Sequence, residues 1–506
     1  MISRRGALAA AGAVGLYALA AGSLAVRAPL WNDELYTWHF ARLPTLGDVW
    51  DELSTGVEQI PPFYYALERT SLWLFGDGQL ALRIPSLVGF LLACACIFAV
   101  VARRTNAWYG LVAALVAVAS GAFPYAWEAR PYGLVVGLAA AAVLCHQLRT
   151  DGMRPRLAAI GLALALAGAA AVHYYGFLVV LPIALAEAVR AYGRRALDWP
   201  VVAALAAPLM PLAVSVPLVA EARKYSGAFW SDFDLASAPE FYVFLLRGEV
   251  ISSSHIPTWL GIALAAAILG AAIAVLLRRP RVAQVETAAA IGFLALPLAG
   301  VLVGELVTGA YVERYVLAAV LGPALLVPLA LQRVARGARI AAVVATVVLA
   351  AWFGVLFQYW HRDVGVDLDR RDRLVAFLEA HTRPDGPPVA VAHPHDSLEL
   401  ADYAPPALAG RLIRVSDPER ALGYTDSRST EDGLVVLSGF APLRVVPYDE
   451  QRVPFLLLRT VRGSESDWLE LALVDDGARL RVVARDEEDG FALVRVTPQA
   501  RAPADT

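Results

Sequence analysis

Two adjacent carboxylates, Asp33 and Glu34, follow a long apolar run in the stretch WNDELYTW at residues 31–38. An ionisable side chain beside a membrane is costly to desolvate, so it is expected to have a partner or a task. A carboxylate placed by a rigid helix end can accept a proton from a hydroxyl group. We therefore predict that Asp33 acts as a base, with Glu34 either supporting it or facing water.

Further acids, arginines, tyrosines and a histidine lie at the predicted outer ends of later membrane spans. They are Glu58 before QIPPFYY, Glu128 and Arg130 in YAWEARPYG, His173, Tyr174 and Tyr175 in HYYG, and Glu313, Arg314 and Tyr315 in YVERY. Guanidinium groups bind phosphate through paired hydrogen bonds, and aromatic rings offer flat surfaces to a sugar or a prenyl chain. The set predicts a reaction on a lipid-linked anion at the membrane surface.

Several of these residues also have ordinary structural explanations. The aromatic residues of 31–38 are typical of an interfacial aromatic belt, and a single histidine such as His173 is structural as often as it is functional. Arg130 and Arg314 lie on the side opposite to the predicted positive-inside arginines, which favours a function over anchoring. Lys224 is either a solvated loop charge or a phosphate contact.

The composition is that of an integral membrane protein. Of the 506 residues, 58% are hydrophobic and 18% are charged, and the mean hydropathy is +0.55, against roughly half apolar in soluble domains. The net charge of −3 is too acidic for a nucleic-acid-binding protein. The three cysteines lie in apolar runs, which predicts neither a disulfide framework nor a zinc site.

Apolar runs long enough to cross a bilayer predict about eleven transmembrane helices, at approximately 7–26, 84–102, 108–126, 132–149, 156–173, 175–191, 199–220, 257–277, 285–307, 315–332 and 339–359. If the N-terminus is cytoplasmic, every inner turn carries two or three arginines, as the positive-inside rule requires. This predicts a multi-pass protein of the inner or plasma membrane. Residues 361–506 are then extracytoplasmic.

The chain divides into a transmembrane domain, 1–360, and a soluble domain, 361–506. The first carries a net charge of +5 and the second, with 26 acids and 18 arginines, −8, so the two are expected to face different solvents. Within 27–83 the stretch LGDVWDEL predicts a helix lying on the membrane surface, whereas 221–256 predicts a mobile loop.

The soluble domain is predicted to be α/β or α+β. Helical spacing predicts helices at 370–381 and in ESDWLELALV, and short apolar runs predict strands at PVAVA, RLIRV, LVVL, FLLLRTV, RLRVVARD and FALVRV. The HPHD stretch at 393–396 is interpreted as a polar turn between a strand and a helix rather than a metal site.

Together, LWNDELYTW, EQIPPFYYALERTSLWLFGDGQLALRIPSLVGFL, YAWEARPYGL, HYYGFL and ERYVLAAVLGPALL resemble the GT-C superfamily of integral membrane glycosyltransferases. The nearest similarity is to the bacterial relatives of dolichyl-phosphate-mannose–protein mannosyltransferases and to ArnT-like enzymes. The resemblance covers roughly residues 5–335 and is most specific in the first 140 or so. It implies transfer of a hexosyl or pentosyl group, with inversion, from a polyprenyl-phosphate donor to a protein, lipid or glycan acceptor.

The resemblance also implies roles for individual residues. The acid that follows the first membrane helix is the catalytic residue of the family, a place taken by Asp33 with Glu34 completing the acidic pair. Glu58 matches a second acid of the site. The donor or its phosphate would be bound by residues that match the family's Arg-x-Tyr, His-Tyr and Arg-Tyr elements, namely Arg130, Tyr132, His173, Tyr174, Arg314 and Tyr315, together with Lys224.

Three positions depart from the family pattern. Ile60 stands where many bacterial relatives have a histidine, Trp127 where they often have a glutamine, and Gln59 where ArnT has a lysine. These changes argue against an aminoarabinose-specific donor site. Because no acidic cluster beyond Asp33, Glu34 and Glu58 is evident, we predict a metal-independent enzyme with no cofactor, although some GT-C enzymes use a divalent cation.

Other classes of protein fit the sequence less well. A flippase or other transporter of lipid-linked sugars would carry polar residues at the bilayer midplane and often an internal repeat, and neither is evident. A polymerase or ligase of surface glycans that uses diphosphate-linked donors is a closer rival. A membrane anchor that only presents the 361–506 domain would leave the acidic and arginine motifs unexplained.

Overall fold

The structure, a computed structural model, describes residues 4–225, 231, 233–247, 258–277, 284–451, 453–460 and 468–499. Its first seventeen α-helices are α1 Arg4–Arg27, α2 Asn32–Ala41, α3 Leu46–Leu53, α4 Pro62–Phe75, α5 Gln79–Arg104, α6 Ala107–Val118, α7 Tyr132–Thr150, α8 Pro155–Val172, α9 Val180–Arg194, α10 Trp199–Leu205, α11 Leu209–Ala222, α12 Ser237–Arg247, α13 Thr258–Leu277, α14 Gln284–Leu294, α15 Leu296–Val303, α16 Leu321–Val334 and α17 Arg339–His381.

Within these ranges, eight helical segments are long and apolar enough to cross a membrane: Gln79–Arg104, Tyr132–Thr150, Pro155–Val172, Tyr174–Arg194, Trp199–Tyr225, Gln284–Thr308, Glu313–Val334 and Arg339–His381. The remaining three predicted spans correspond to α1, to α6 and to α13. α6 ends at Val118, earlier than predicted, so that the YAWEARPYG stretch leaves the helix. The protein is a multi-pass membrane protein, and the predicted helical fold class is confirmed.

The chain forms two compact units. The helical unit comprises the described residues of Met1–Ala28, Ile60–Pro217 and Ser231–Asp363. The sheet unit comprises the described residues of Pro29–Gln59, Leu218–Trp230 and Val364–Thr506. The segment Pro29–Gln59, which contains α2 and α3, thus belongs to the same unit as the C-terminal segment.

In the helical unit, α5 and α7 pack backbone against backbone through glycine. A Cβ on Gly89 would lie 2.6 Å from the Leu134 Cα, and one on Gly133 would lie 2.8 Å from the Ser86 carbonyl oxygen. A Cβ on Gly137 would overlap the Gly89 carbonyl oxygen. Small residues four apart permit such close approach of membrane helices, and this contact fixes the start of α7, where the first candidate site residues lie.

The opposite end of α7 carries ion pairs that the sequence analysis did not foresee. Arg103 and Arg104 both bond to Asp151, and Arg104 also pairs with Glu286. A second network joins arginines and a histidine of α7 and α9 to two acids, through Arg149–Asp198, Arg190–Asp198, Arg190–Glu187 and His146–Glu187. Predicted inner-turn arginines are therefore structural partners of acids as well as topology signals.

In the sheet unit, six described strands form one sheet: β1 Val389–Val391, β2 Leu412–Ser416, β3 Val445–Pro447, β4 Phe455–Thr460, β5 Arg479–Asp486 and β6 Phe491–Thr497. The order is β3-β2-β1-β4-β6-β5. The first four strands are parallel to one another, and β6 runs antiparallel to both of its neighbours, β4 and β5. Helices cover the sheet: α18 Pro394–Tyr403, α19 Pro406–Ala409, α20 Pro418–Thr425, α21 Ser429–Leu437 and α22 Trp468–Asp475. The predicted α/β character is confirmed, and α18 begins inside HPHD, as the turn interpretation expects.

Three local predictions were wrong. LVVL, predicted as a strand, lies in α21, because Leu434 and Leu437 are buried one helical turn apart while Val435 is exposed; short apolar runs do not distinguish strand from helix. Within the predicted loop 221–256, residues 237–247 form α12, which buries Phe241 completely. The rest of that loop prediction falls largely outside the described residues.

The third difference concerns α17. The sequence predicts a span at 339–359 and a separate helix at 370–381, whereas the structure has one helix of 43 residues. The polar stretch between the two predicted helices contains no proline, so nothing in it interrupts the backbone hydrogen bonds. A search for apolar runs detects only the first half of such a helix, because its second half is polar.

Candidate active site

Arg314 and three aromatic rings come together in the helical unit. Arg314 lies at the start of the 3-10 segment Glu313–Val320, and its Nε donates to the Tyr132 hydroxyl at 3.1 Å. The Tyr132 ring lies 5.4 Å from His173 and 6.5 Å from Tyr315, stacked on the latter. His173 and Tyr315 are 5.0 Å apart. The Arg-x-Tyr, His-Tyr and Arg-Tyr elements, far apart in sequence, thus meet in one aromatic cluster.

His173 lies between two candidate membrane spans and is kept neutral. Its burial, followed by the charges of Arg130 and Arg314, lowers its pKa from 6.5 to about 3. The backbone N–H of Tyr175 donates to His173 Nδ1 at 3.2 Å. A neutral imidazole that accepts at one nitrogen carries its proton on the other, so Nε2 is a hydrogen-bond donor. His173 is therefore suited to donate a hydrogen bond rather than to take a proton.

Arg130 is held by its backbone. The hydroxyl of Ser86 on α5 donates to the Arg130 carbonyl oxygen at 2.6 Å, and the side chain is 7% exposed. Its positive charge acts on Tyr64 of α4, which lies near the fully buried Glu68. Burial is the main cause that raises the pKa of Tyr64, the charge of Glu68 adds to the rise, and the charge of Arg130 opposes it. Glu68 was not among the site residues predicted from the sequence. The sequence signal that could have identified Glu68 is its spacing: it lies four residues after Tyr64 and so shares one helical face with it, in a segment predicted to lie on the membrane surface.

Tyr175 of HYYG also joins the cluster. Its ring lies 5.1 Å from Tyr315, and its hydroxyl bonds to Thr308 at 2.7 Å and donates to the Ala310 carbonyl oxygen at 2.5 Å. It thereby connects the end of α8 to the segment that leads to Arg314. Tyr174, the residue predicted from the family pattern, has a half-buried side chain. Adjacent residues of a 3-10 segment point in different directions, which sequence alone does not resolve.

Asp33 and Glu34 occupy the first turn of α2 in the sheet unit. Glu34 is 1% exposed, and its carboxylate accepts the Trp31 backbone N–H at 3.4 Å, which closes the helix start. Asp33 is half-buried. The positive end of the helix dipole favours an ionised carboxylate at this position. The structure thus separates the pair into a capping acid, Glu34, and a more accessible acid, Asp33.

Glu58 and Lys224 also belong to the sheet unit. Glu58, 8% exposed, lies between α3 and α4. Gly56, two residues earlier, has a φ of +84°, and a Cβ there would lie 2.8 Å from the backbone of Glu221. Lys224 is 68% exposed and forms an ion pair with that same Glu221. The loop of Glu58 therefore packs against the segment that carries Lys224, whose ammonium is already partnered on its own turn.

The candidate residues thus form two sets. Asp33, Glu34, Glu58 and Lys224 lie in the sheet unit, whereas Arg130, Tyr132, His173, Tyr174, Arg314 and Tyr315 lie in the helical unit. In the described ranges, no three His, Cys, Asp or Glu side chains are grouped as a metal site would require. Metal independence remains a prediction.

Comparison with known proteins identifies the fold. The chain is similar to the crystal structure of ArnT from Cupriavidus metallidurans in the apo state, with a TM-score of 0.59 and 15% identity over 96% of this chain and 98% of that one. It is also similar to ArnT from the same organism bound to undecaprenyl phosphate, with a TM-score of 0.56 and 16% identity over 95% and 97%. No family model and no curated protein sequence matches. The chain therefore has an ArnT-like fold along nearly its whole length, as the predicted GT-C class requires.

Proposed function

We propose that the protein is a membrane glycosyltransferase that moves a sugar from a polyprenyl-phosphate donor to an acceptor hydroxyl, with inversion at the anomeric carbon. The observation that carries the proposal is the grouping of Arg130, Arg314 and His173 with tyrosine rings at one end of α7. Two guanidinium groups beside a neutral imidazole donor suit a phosphate. The ArnT-like fold supports the same reading, since one of the matched ArnT structures is bound to undecaprenyl phosphate.

In the proposed reaction the acceptor hydroxyl gives its proton to Asp33 and its oxygen forms a bond to the anomeric carbon. The bond from that carbon to the phosphate oxygen breaks on the opposite face, and polyprenyl phosphate leaves with the electron pair. Arg130 and Arg314 stabilise the charge that grows on the departing phosphate. Asp33 suits the task of base because it is half-buried on a helix turn, while Glu34 is occupied in capping.

The aromatic cluster supplies the remaining contacts. The Tyr132 hydroxyl accepts from Arg314, and Tyr315 stacks on the Tyr132 ring. Both tyrosines line the proposed phosphate site, to which His173 donates from Nε2. The donor sugar is a hexose or a pentose, the acceptor a protein, lipid or glycan, and the reaction takes place on the extracytoplasmic face of the cell membrane. Glu58 is the second acid of the proposed reaction. Lys224 is a weaker candidate for a phosphate contact because Glu221 already pairs with it.

The test uses the purified full-length protein in lipid nanodiscs and a panel of radiolabelled donors. The panel pairs polyprenyl-monophosphate and polyprenyl-diphosphate forms of the same sugars, with and without chelator. We expect consumption of a monophosphate donor, release of polyprenyl phosphate, an inverted anomer by NMR, and no loss of turnover with chelator.

Each other outcome points elsewhere. Turnover of diphosphate donors alone would indicate a glycan polymerase or ligase. Movement of intact donor between leaflets, without release of polyprenyl phosphate, would indicate a flippase. A retained anomeric configuration would contradict direct attack by the acceptor, and inactivation by chelator would contradict metal independence.

A further inference from the structure

The helix that carries Asp33 is too short to set its own direction. α2 has ten residues, and isolated helices below about 12–15 residues are marginal in water. Eight of its ten side chains are nevertheless buried, so neighbouring elements must fix it. Those neighbours decide where the Asp33 carboxylate points.

The last turn of α18 holds both ends of α2. At the start, the Leu30 backbone N–H donates to the Tyr403 hydroxyl at 2.8 Å. At the end, His39 Nε2 lies 3.0 Å from an Asp402 carboxylate oxygen, with the two side chains 8% and 13% exposed. Tyr403 and Asp402 are adjacent in sequence, so one turn of α18 contacts Leu30 and His39, which are nine residues apart. Two contacts at this spacing resist both tilting and sliding of α2.

α21 supports the middle of α2 through a glycine. A Cβ on Gly433 would overlap the hydroxyl oxygen of Tyr36 and lie 3.3 Å from its Cζ. Glycine inside a helix costs about 1 kcal/mol relative to alanine, so its presence within α21 needs a reason, and the close approach of Tyr36 supplies one. Beyond the end of α21, Phe440 meets Phe40 edge to face at 5.2 Å.

α21 is in turn fixed to the sheet. Its Glu431 is 3% exposed and pairs with the fully buried Arg414 of β2. The same carboxylate accepts from the Ser416 hydroxyl at 2.8 Å and from Trp468 Nε1 at 2.9 Å. A buried carboxylate with this many donors is held in one geometry. The surface that receives Tyr36 is therefore rigid.

We propose that the C-terminal α/β portion of the sheet unit is the positioning element of α2, and that His39, Asp402 and Gly433 are positioning residues that act through Asp33. The proposal rests on the proposed function for what α2 does, but not for how α2 is held. In this proposal the α/β portion takes part in the transfer reaction by orienting Asp33.

The decisive variant is Gly433→Ala in the full-length protein in nanodiscs. On helix propensity alone alanine would stabilise α21; if the proposal is right, the added methyl group displaces Tyr36. Gly423→Ala in α20 is the matched control, because a Cβ there meets nothing within 4 Å. Gly433→Ala combined with Tyr36→Phe is the rescue, because it removes the hydroxyl oxygen that the methyl group would overlap.

Two readouts separate the proposal from the proposed function. Amide hydrogen exchange of residues 32–41 reports how α2 is held and needs no substrate. Steady-state turnover reports the consequence. For Gly433→Ala we expect at least tenfold faster exchange in α2 and a kcat at least tenfold lower, with the KM for the donor within about twofold. Gly423→Ala should match the wild type, and the double variant should recover most of both losses.

The His39–Asp402 pair gives a second test. His39→Gln and Asp402→Asn should each accelerate exchange in α2, and their effects should be strongly non-additive, as expected for partners in one contact.

Unchanged exchange in Gly433→Ala and in both pair variants would overturn the proposal, as would faster exchange with unchanged turnover. A wild type that consumes no donor would refute the proposed function, and the exchange data would then decide alone whether this portion holds α2.

Discussion

The two sets of candidate residues are built in opposite ways. The arginine and aromatic set of the helical unit lies at the ends of long helices. Two of these helices, α5 and α7, touch backbone to backbone through glycine, and Arg130 is tied to α5 by Ser86. The acidic set of the sheet unit stands on the short helix α2, which is held by side chains of α18 and α21. The groups proposed to bind a phosphate are thus fixed by membrane-type helix packing, and the proposed base is fixed by the packing of a small α/β fold. Changes in the two regions should therefore damage different steps.

The largest expected effect separates the two acids of α2. Asp33→Asn should lower kcat by about 10²–10⁴-fold, the usual contribution of a general base, with donor binding unchanged. Glu34→Gln keeps an oxygen that can accept the Trp31 N–H and should cost less than tenfold. Turnover and donor affinity are measured for both, with Asp51→Asn on α3 as a surface control. Equal losses for the two acids would contradict the division of roles.

Next in size is a change confined to the helical unit. Gly137→Ala places a Cβ against the Gly89 carbonyl oxygen and must push α5 and α7 apart. Overpacking of this kind costs about 1–3 kcal/mol, so the thermal midpoint and donor binding should both fall. Gly354→Ala on α17, where a Cβ meets nothing within 4 Å, is the control. A Gly137→Ala protein with wild-type stability would show that the contact is not needed.

Loss of an arginine should weaken binding rather than chemistry. Arg314→Gln removes a charged donor from the proposed phosphate site, and hydrogen bonds to charged groups contribute about 1.5–3 kcal/mol. Donor affinity should fall about 10- to 100-fold, and Arg314→Lys should recover part of it. Titration with labelled polyprenyl phosphate measures the change, and the exposed Arg156→Gln on α8 is the control. Unaltered affinity would remove Arg314 from the phosphate site.

His173 predicts a pH effect on stability. Its pKa is about 3 in the folded protein and about 6.5 when unfolded, so the unfolded chain binds the extra proton first. The contribution of the neutral imidazole to the free energy of unfolding is fully present above pH 6.5 and is lost as the pH falls towards 3. In thermal melts across this range, His173→Gln should show a weaker pH dependence than the wild type. Parallel curves for the two proteins would contradict a buried neutral histidine.

The smallest expected effect distinguishes the neighbouring tyrosines. Tyr175→Phe loses the hydroxyl contacts with Thr308 and Ala310, at about 1 kcal/mol for each hydrogen bond, and should lower donor affinity several-fold. Tyr174→Phe should change it less. Binding titrations on the two variants decide between them, and a larger loss for Tyr174→Phe would favour the family-based assignment of Tyr174.

The sequence by itself determined the membrane class, most spans, the α/β character of the C-terminal segment and the residue types of both sets, because apolar length and motif order are local properties. It did not determine that Tyr175 joins the cluster, that Glu34 caps α2, that LVVL is helical, or that Glu68 is buried. These depend on which face of a helix meets a neighbour. Only the tertiary structure decided that the helix of Asp33 is held by α18 and α21, since that contact joins residues nearly 400 apart.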